Sequence, residues 1–387
     1  MLAFEDVYTI SVVLFFGLLA LLIWRDRKHI EFHTLVIMRR TKRFRDTIDR
    51  LAMASPRFWK AFGTLGVIAA LVAMVYGTQM LLSTANLILS GMVEKPAMQV
   101  ILPSPGATTV AGPGYVLLPF WIWFFIIAMI LIPHEMMHGV IARAEKIRLK
   151  SVGLLLLIIF PGAFVEPDER QLKRAKLMTR LRVFAAGSFA NFFLAGLMLV
   201  ITAYAFWPLA AVPSITLNIT TVNASSPMAI AGVPVGTVVT GINGHPITPG
   251  YWEFVGGGTY LNDELGSLEV GQPVTFTTAE NAYIIAPVAN PTTGKPWMGF
   301  TGSFSDVVLS ETPNLLISFF TLFWILSSAV GLVNILPLKP LDGGLMFEAV
   351  AKKYYPKRSA LLTKAMAVLL LALIVFAFVG PGIISAL

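Results

Sequence analysis

Two histidines and a glutamate fall within five residues at His134-Glu135-Met136-Met137-His138. On a helix, residues four apart share a face, so both imidazoles point the same way with the carboxylate between them. Paired imidazoles suit a zinc ion, and the glutamate suits a general base acting on a water that the ion activates. The residues before the motif, Tyr115 to Pro133, are apolar and numerous enough to cross a bilayer. A water-using metal site at membrane depth is expensive to build, which argues that it is used.

Catalytic zinc takes three protein ligands and keeps one position open. The chain has no cysteine, so thiolate ligands and disulfides are excluded. The next histidine after the motif is His245, which lies in a polar segment. The third ligand is therefore expected to be a carboxylate. Asp342, in Leu341-Asp342-Gly343-Gly344, stands near the end of a later apolar stretch, and its glycines let the backbone turn or approach closely. His134 lies nine residues before Arg143, and Asn191 nine residues after Arg182. At the helical rise both sit about 13 Å from the basic edge of their spans. An asparagine at that depth needs a partner. Asn191 is a candidate for orienting substrate or stabilising an oxyanion, with a plain interhelical hydrogen bond as the alternative.

The elements that must position these residues follow from hydropathy. The 387 residues are 56% hydrophobic and 13% charged, the balance of a polytopic membrane protein. Six stretches can cross the membrane: Val7–Trp24, Ala61–Leu89, Tyr115–Ala142, Val183–Val212, Asn314–Leu336 and Leu361–Leu387. The first carries Glu5 and Asp6 and no early basic cluster, so it reads as a span and not a cleaved signal.

The net charge of +8 raises the question of nucleic acid, and its distribution answers it. Of 29 Lys and Arg, 11 fall between Arg25 and Lys60, ten between Arg143 and Arg182, and six between Lys339 and Lys364. Basic blocks alternating with spans are the positive-inside pattern, with loops that meet anionic lipid and no nucleic-acid partner. All three blocks face the cytoplasm if the N-terminus is outside. The active-site motif then lies toward the cytoplasmic side of the cell membrane.

Four regions result: 1–60, a first span and a basic interfacial segment; 61–212, a membrane core with the two-histidine helix; 213–313, an insertion outside the membrane; and 314–387, the remaining core. Between Arg25 and Lys60 the mix of apolar and basic residues fits an interfacial amphipathic helix. Val152–Phe160 is apolar but short, ends at Pro161-Gly162, and has basic flanks on both sides. It is expected to be a re-entrant hairpin or strand pair dipping in beside the metal site, the alternative being a segment on the membrane surface. The stretch Pro103–Gly114 reads as an external loop without regular structure. Short β-type runs separated by turns such as Asn243-Gly244 make the insertion a small β-rich domain.

These motifs together resemble the site-2 protease family of intramembrane zinc metalloproteases. Its paired signature is HExxH with a later NxxPxxxxDG. Here they are His134–His138 and Asn334-Ile-Leu-Pro337-Leu-Lys-Pro-Leu-Asp342-Gly. Gly187-Ser-Phe-Ala-Asn191 is similar to the family's GxxxN helix, and Pro161–Glu166 to a further segment of one branch. Ser226–Gly232 and Gly236–Gly244 resemble the opening of a PDZ domain, which many members carry outside the membrane. The resemblance implies one Zn2+ per chain on His134, His138 and Asp342, with Glu135 as base. It also implies cleavage within the transmembrane segments of single-span membrane proteins, in regulated intramembrane proteolysis. Peptide binding by the PDZ-like domain would follow the strand-addition mode. The alternatives are a catalytically silent protein that sequesters client helices, a membrane zinc peptidase acting on soluble or lipidated peptides, and a transporter that uses the His and Asp as an ion path.

Overall fold

The structure is a computed structural model. It describes all residues except 1–3, 33–35, 94, 158–159, 208–215, 248–250, 252–267, 291–292, 305–310 and 385–387. Its helices are α1 (Phe4–Arg25), α2 (Lys42–Ala54), α3 (Pro56–Leu89), α4 (Phe120–Ala144), α5 (Glu169–Arg174), α6 (Leu177–Ile201), α7 (Pro227–Ile230), α8 (Glu311–Ile335), α9 (Asp342–Tyr354) and α10 (Ser359–Ile384). Six of them, α1, α3, α4, α6, α8 and α10, are long and apolar enough to cross a membrane. They match the six stretches read from hydropathy; the tails of the fourth, 208–212, and of the sixth, 385–387, lie outside the described residues.

The chain divides into two compact units, one of Met1–Leu197 with Phe323–Leu387, the other of Met198–Leu322. In the first, Gly63 and Gly66 of α3 lie against Arg182 and Phe189 of α6, and Gly139 of α4 against Ile48 of α2. Small residues let helices approach closely where there is no water to drive association. At the rim, Arg182 Nη1 donates to Glu145 Oε1 at 2.6 Å and its Nε to Thr64 Oγ1 at 3.0 Å, a charged clasp across α3, α4 and α6. α1 is tied to the start of α4 through Trp121, whose indole N–H donates to Ser11 Oγ at 2.9 Å.

Strands β1 (Ile30–Phe32), β2 (Val36–Arg40), β6 (Leu149–Leu157) and β7 (Phe160–Pro167) form one sheet in the order β1-β2-β6-β7, all neighbours antiparallel. One expectation holds here and one changes. The short apolar segment after α4 is a strand pair, but it is joined by a second hairpin from the N-terminal basic region. That region is therefore not one amphipathic helix. A hairpin comes first, then α2, which buries Ile48 and Ala52. Its alternation of apolar and basic residues serves a strand as readily as a helix face over so few residues.

The supposed irregular loop is also corrected. β3 (Val100–Ser104) pairs in parallel with β5 (Tyr115–Pro119), and β4 (Val110–Gly112) pairs antiparallel with β5. Pro and Gly mark the turns there, and the Val-Ile-Leu runs between them supply the strands. The third of the long apolar helices, α4, accordingly starts at Phe120, not Tyr115.

The second unit contains β8 (Leu217–Val222), β9 (Val238–Val239), β10 (Gly241–Ile242), β11 (His245–Pro246), β12 (Val274–Thr277), β13 (Ala282–Ile285), β14 (Val288–Ala289), β15 (Pro296–Trp297) and β16 (Phe300–Phe304). They form sheets β16-β8-β9, β11-β10-β12-β13 and β14-β15. Leu217, Ile219, Met228, Phe276 and Ile285 form its core. Asn243 and Gly244 both take positive φ at the β10–β11 turn, as the sequence there requires.

Candidate active site

His134 and His138 lie one turn apart on α4. Pro133, just before them, has no N–H to donate to the Met129 carbonyl, so the helix loses a bond at the site's edge. His134 is buried. Glu135 follows it and is half-buried.

Asp342 reaches the histidines because the chain folds back tightly between α8 and α9. Leu338 N donates to Leu336 O at 2.7 Å, and Leu341 N to Leu338 O at 2.9 Å. A Cβ on Gly343 would lie 1.8 Å from the Ile335 carbonyl oxygen, and one on Gly344 would lie 2.4 Å from Lys339 N. Only glycine admits this approach. Asp342 thereby becomes the first residue of α9, next to a span without being inside its regular helix. Lys339, in the same fold-back, pairs with Glu348 at 2.7 Å.

The three groups converge. His134 Nε2 is 3.3 Å from His138 Nε2 and 3.3 Å from Asp342 Oδ2, and His138 Nε2 is 3.2 Å from Asp342 Oδ2. Atoms bound tetrahedrally at about 2.0–2.1 Å stand about 3.3 Å apart, so the triangle has the edge lengths of a zinc ligand set. Asp342 Oδ2 is buried and, despite those short separations, has no hydrogen bond of proper geometry among the described residues. The distances fit a shared cation better than shared protons. Among the described residues this is the group of His and acidic side chains close enough to hold a metal ion. His138 Nδ1–H donates to the Val183 carbonyl at 2.7 Å, which leaves Nε2 with its lone pair inward.

α6 forms the facing wall. Asn191, fully buried, places Nδ2 3.1 Å from His134 Nδ1. Gly187, one turn earlier, faces the histidines: a Cβ there would lie 2.4 Å from His138 Nε2 and 2.5 Å from His134 Nε2. The structure thus brings together His134, His138, Asp342 and Asn191, all named from the sequence. Gly187 and the Val183 carbonyl carry no chemistry in their residue type. Their signal is positional: Val183, Gly187 and Asn191 recur every four residues on one face.

A His-His-Asp triangle between the long apolar α4 and the start of α9 is a ligand set that a metallopeptidase could use. The chain is a member of peptidase family M50, whose family model matches residues 122–377. Peptidases of this family are zinc-dependent, and the chain is an integral, multi-pass membrane protein. It is similar to an uncharacterized protein of Methanocaldococcus jannaschii, 24% identical over 337 residues, which span 84% of this chain and 80% of that protein.

Proposed function

We propose that this chain is an intramembrane zinc endopeptidase that hydrolyses a peptide bond inside the transmembrane segment of single-span membrane proteins, in regulated intramembrane proteolysis. The observation that carries this reading is the His134–His138–Asp342 triangle, with zinc-length edges, two of its members on a helix long enough to span a membrane and the third at the turn that follows another. His134, His138 and Asp342 would hold one zinc per chain, and that ion would supply an acidified water and a polarised carbonyl. Glu135 takes the proton of the attacking water and delivers it to the leaving amine. Gly187 keeps the approach to the ligand atoms clear of side chains. The substrate helix unwinds locally first, because its carbonyls are already bonded within the helix.

The strand pair β6–β7 is read as re-entrant. Phe160 packs on Trp123, with ring centroids 5.1 Å apart, while Val165 lies beside Gly139. Those two contacts are about 24 Å apart along α4. Phe160 and Val165 are five residues apart, about 17 Å of strand, and a hairpin lying that far along a spanning helix supports penetration of the bilayer over resting on its surface.

The N-terminus and the β-rich unit are assigned to the outside of the cell membrane and the metal site to the cytoplasmic side, on the distribution of basic residues. The basic loops meet anionic lipid. The β-rich unit is assigned as a PDZ-like domain that binds peptide along a strand edge, supported by its short α7 and the Asn243-Gly244 hairpin. The decisive test mixes purified protein in detergent with single-span substrates, with and without a chelator, beside Glu135→Ala. Cleavage confined to the zinc-loaded wild type is expected. Cleavage that survives Glu135→Ala or metal removal would sink the mechanism.

A further inference from the structure

The two histidines differ in how their protons are fixed. His138 Nδ1 faces a carbonyl, which only accepts, so that ring's tautomer is settled. His134 Nδ1 faces the Asn191 amide, which donates from one end and accepts at the other. With the NH2 end toward Nδ1, the proton of a neutral ring sits on Nε2, inside the ligand triangle, where it blocks a metal. That orientation also leaves Asn191 Oδ1 buried without a hydrogen-bond partner among the described residues. A half-turn of the amide removes both faults. Oδ1 then accepts from Nδ1–H, and Nε2 is free to ligate.

We infer that Asn191 is a positioning residue: its amide oxygen holds the His134 Nδ1 proton and so fixes the tautomer in which Nε2 binds the metal. The inference rests on the zinc reading above and replaces an oxyanion role for this residue. Three observations carry it. Asn191 is 0% exposed. Its polar contact is with Nδ1, on the ring edge away from the ligand atom. Its own main chain is pinned, since the Ser327 hydroxyl of α8 donates to the Asn191 carbonyl at 3.0 Å. α6 therefore serves His134 twice: Gly187 clears the space in front of Nε2, and Asn191 orders the proton behind it.

The test uses the full chain, purified in detergent and loaded with zinc. There are only five histidines, so ring-nitrogen NMR of 15N-histidine protein is tractable. The expected spectrum shows His134 protonated at Nδ1 and metal-bound at Nε2. A His134 that binds zinc through Nδ1, or lacks a proton there, overturns the inference without any variant having to fold. Zinc affinity is measured in parallel by chelator competition. Asn191→Leu, isosteric but without an acceptor, is expected to bind zinc about 10–100-fold more weakly. Asn191→Asp, which keeps an acceptor oxygen, is expected to stay within about threefold of wild type. Wild-type zinc affinity in Asn191→Leu, with turnover lost, would return the residue to a substrate or oxyanion role. A wild-type chain that binds no zinc at all would bring down the metal reading as well as this one.

Discussion

Gly187 stands opposite His138, and a methyl group on it would fall 2.4 Å from the His138 ligand nitrogen. A glycine in a span is usually explained by close helix packing. Here the missing side chain leaves room in front of a metal site. Gly187→Ala should therefore lose zinc while α6 stays helical, since alanine is the better helix former. Metal analysis and circular dichroism on one sample check this. Stoichiometric zinc in Gly187→Ala would contradict the geometry.

Asp342→Ala removes one of the three side chains proposed as ligands. Its zinc affinity should drop by more than the roughly 10–100-fold that loss of an outer partner costs. Gly343→Ala should have a similar effect through the backbone, because its Cβ would sit 1.8 Å from the Ile335 carbonyl oxygen. Competition against a zinc chelator ranks the two. Unchanged occupancy in Asp342→Ala would remove it as a ligand.

Glu145 and Arg182 form a largely buried pair 2.6 Å apart. Arg182→Met leaves the carboxylate with the Thr179 hydroxyl at 3.2 Å and Lys60 at 3.9 Å, so it should cost less than the about 3–5 kcal/mol of a buried charge left unpaired, and the double change Arg182→Met with Glu145→Leu should recover much of that cost. Thermal midpoints in detergent give the comparison. Equal losses in the single and double variants would mean the pair acts only through packing.

The three side chains that could hold a metal were legible from the sequence because ligand chemistry restricts residue type and helical spacing restricts position. His134, Glu135 and His138 needed one turn of helix. Asp342 needed only the depth of its span. The strand pairing of Val36–Arg40 with Gly153–Leu157 was not legible, since nothing local marks partners more than a hundred residues apart. Val183 was equally hidden, because it acts through a main-chain carbonyl that any residue would supply. All six helices long and apolar enough to span were found, but the second and fourth were begun five and six residues late, at Ala61 and Val183, and the third five residues early, since Tyr115–Pro119 is as apolar in a strand as in a helix.

Glu166 ties the sheet together: Ser151 Oγ donates to it at 2.6 Å, and Lys150 and Arg40 lie nearby. The Ser151 hydroxyl, followed by those cations, holds its carboxyl below the ordinary glutamate value. A depressed carboxylate contributes stability above its unfolded value and loses it as pH falls through its folded one. The pair is exposed enough that the effect should stay under about 1 kcal/mol. The wild-type thermal midpoint should thus approach that of Glu166→Gln as pH drops below about 4. A constant gap between the two across that range would exclude the carboxylate as the cause.

The order β1-β2-β6-β7 also has a consequence in time. β2 is synthesised more than a hundred residues before β6, the strand that completes its pairing. At about 5–20 residues per second, the first hairpin waits on the order of ten seconds with an open edge. Meanwhile α3 and α4 must enter the membrane. Closure of this sheet is then a late event in biogenesis, since both α3 and the histidine helix α4 are synthesised before β2 can meet β6.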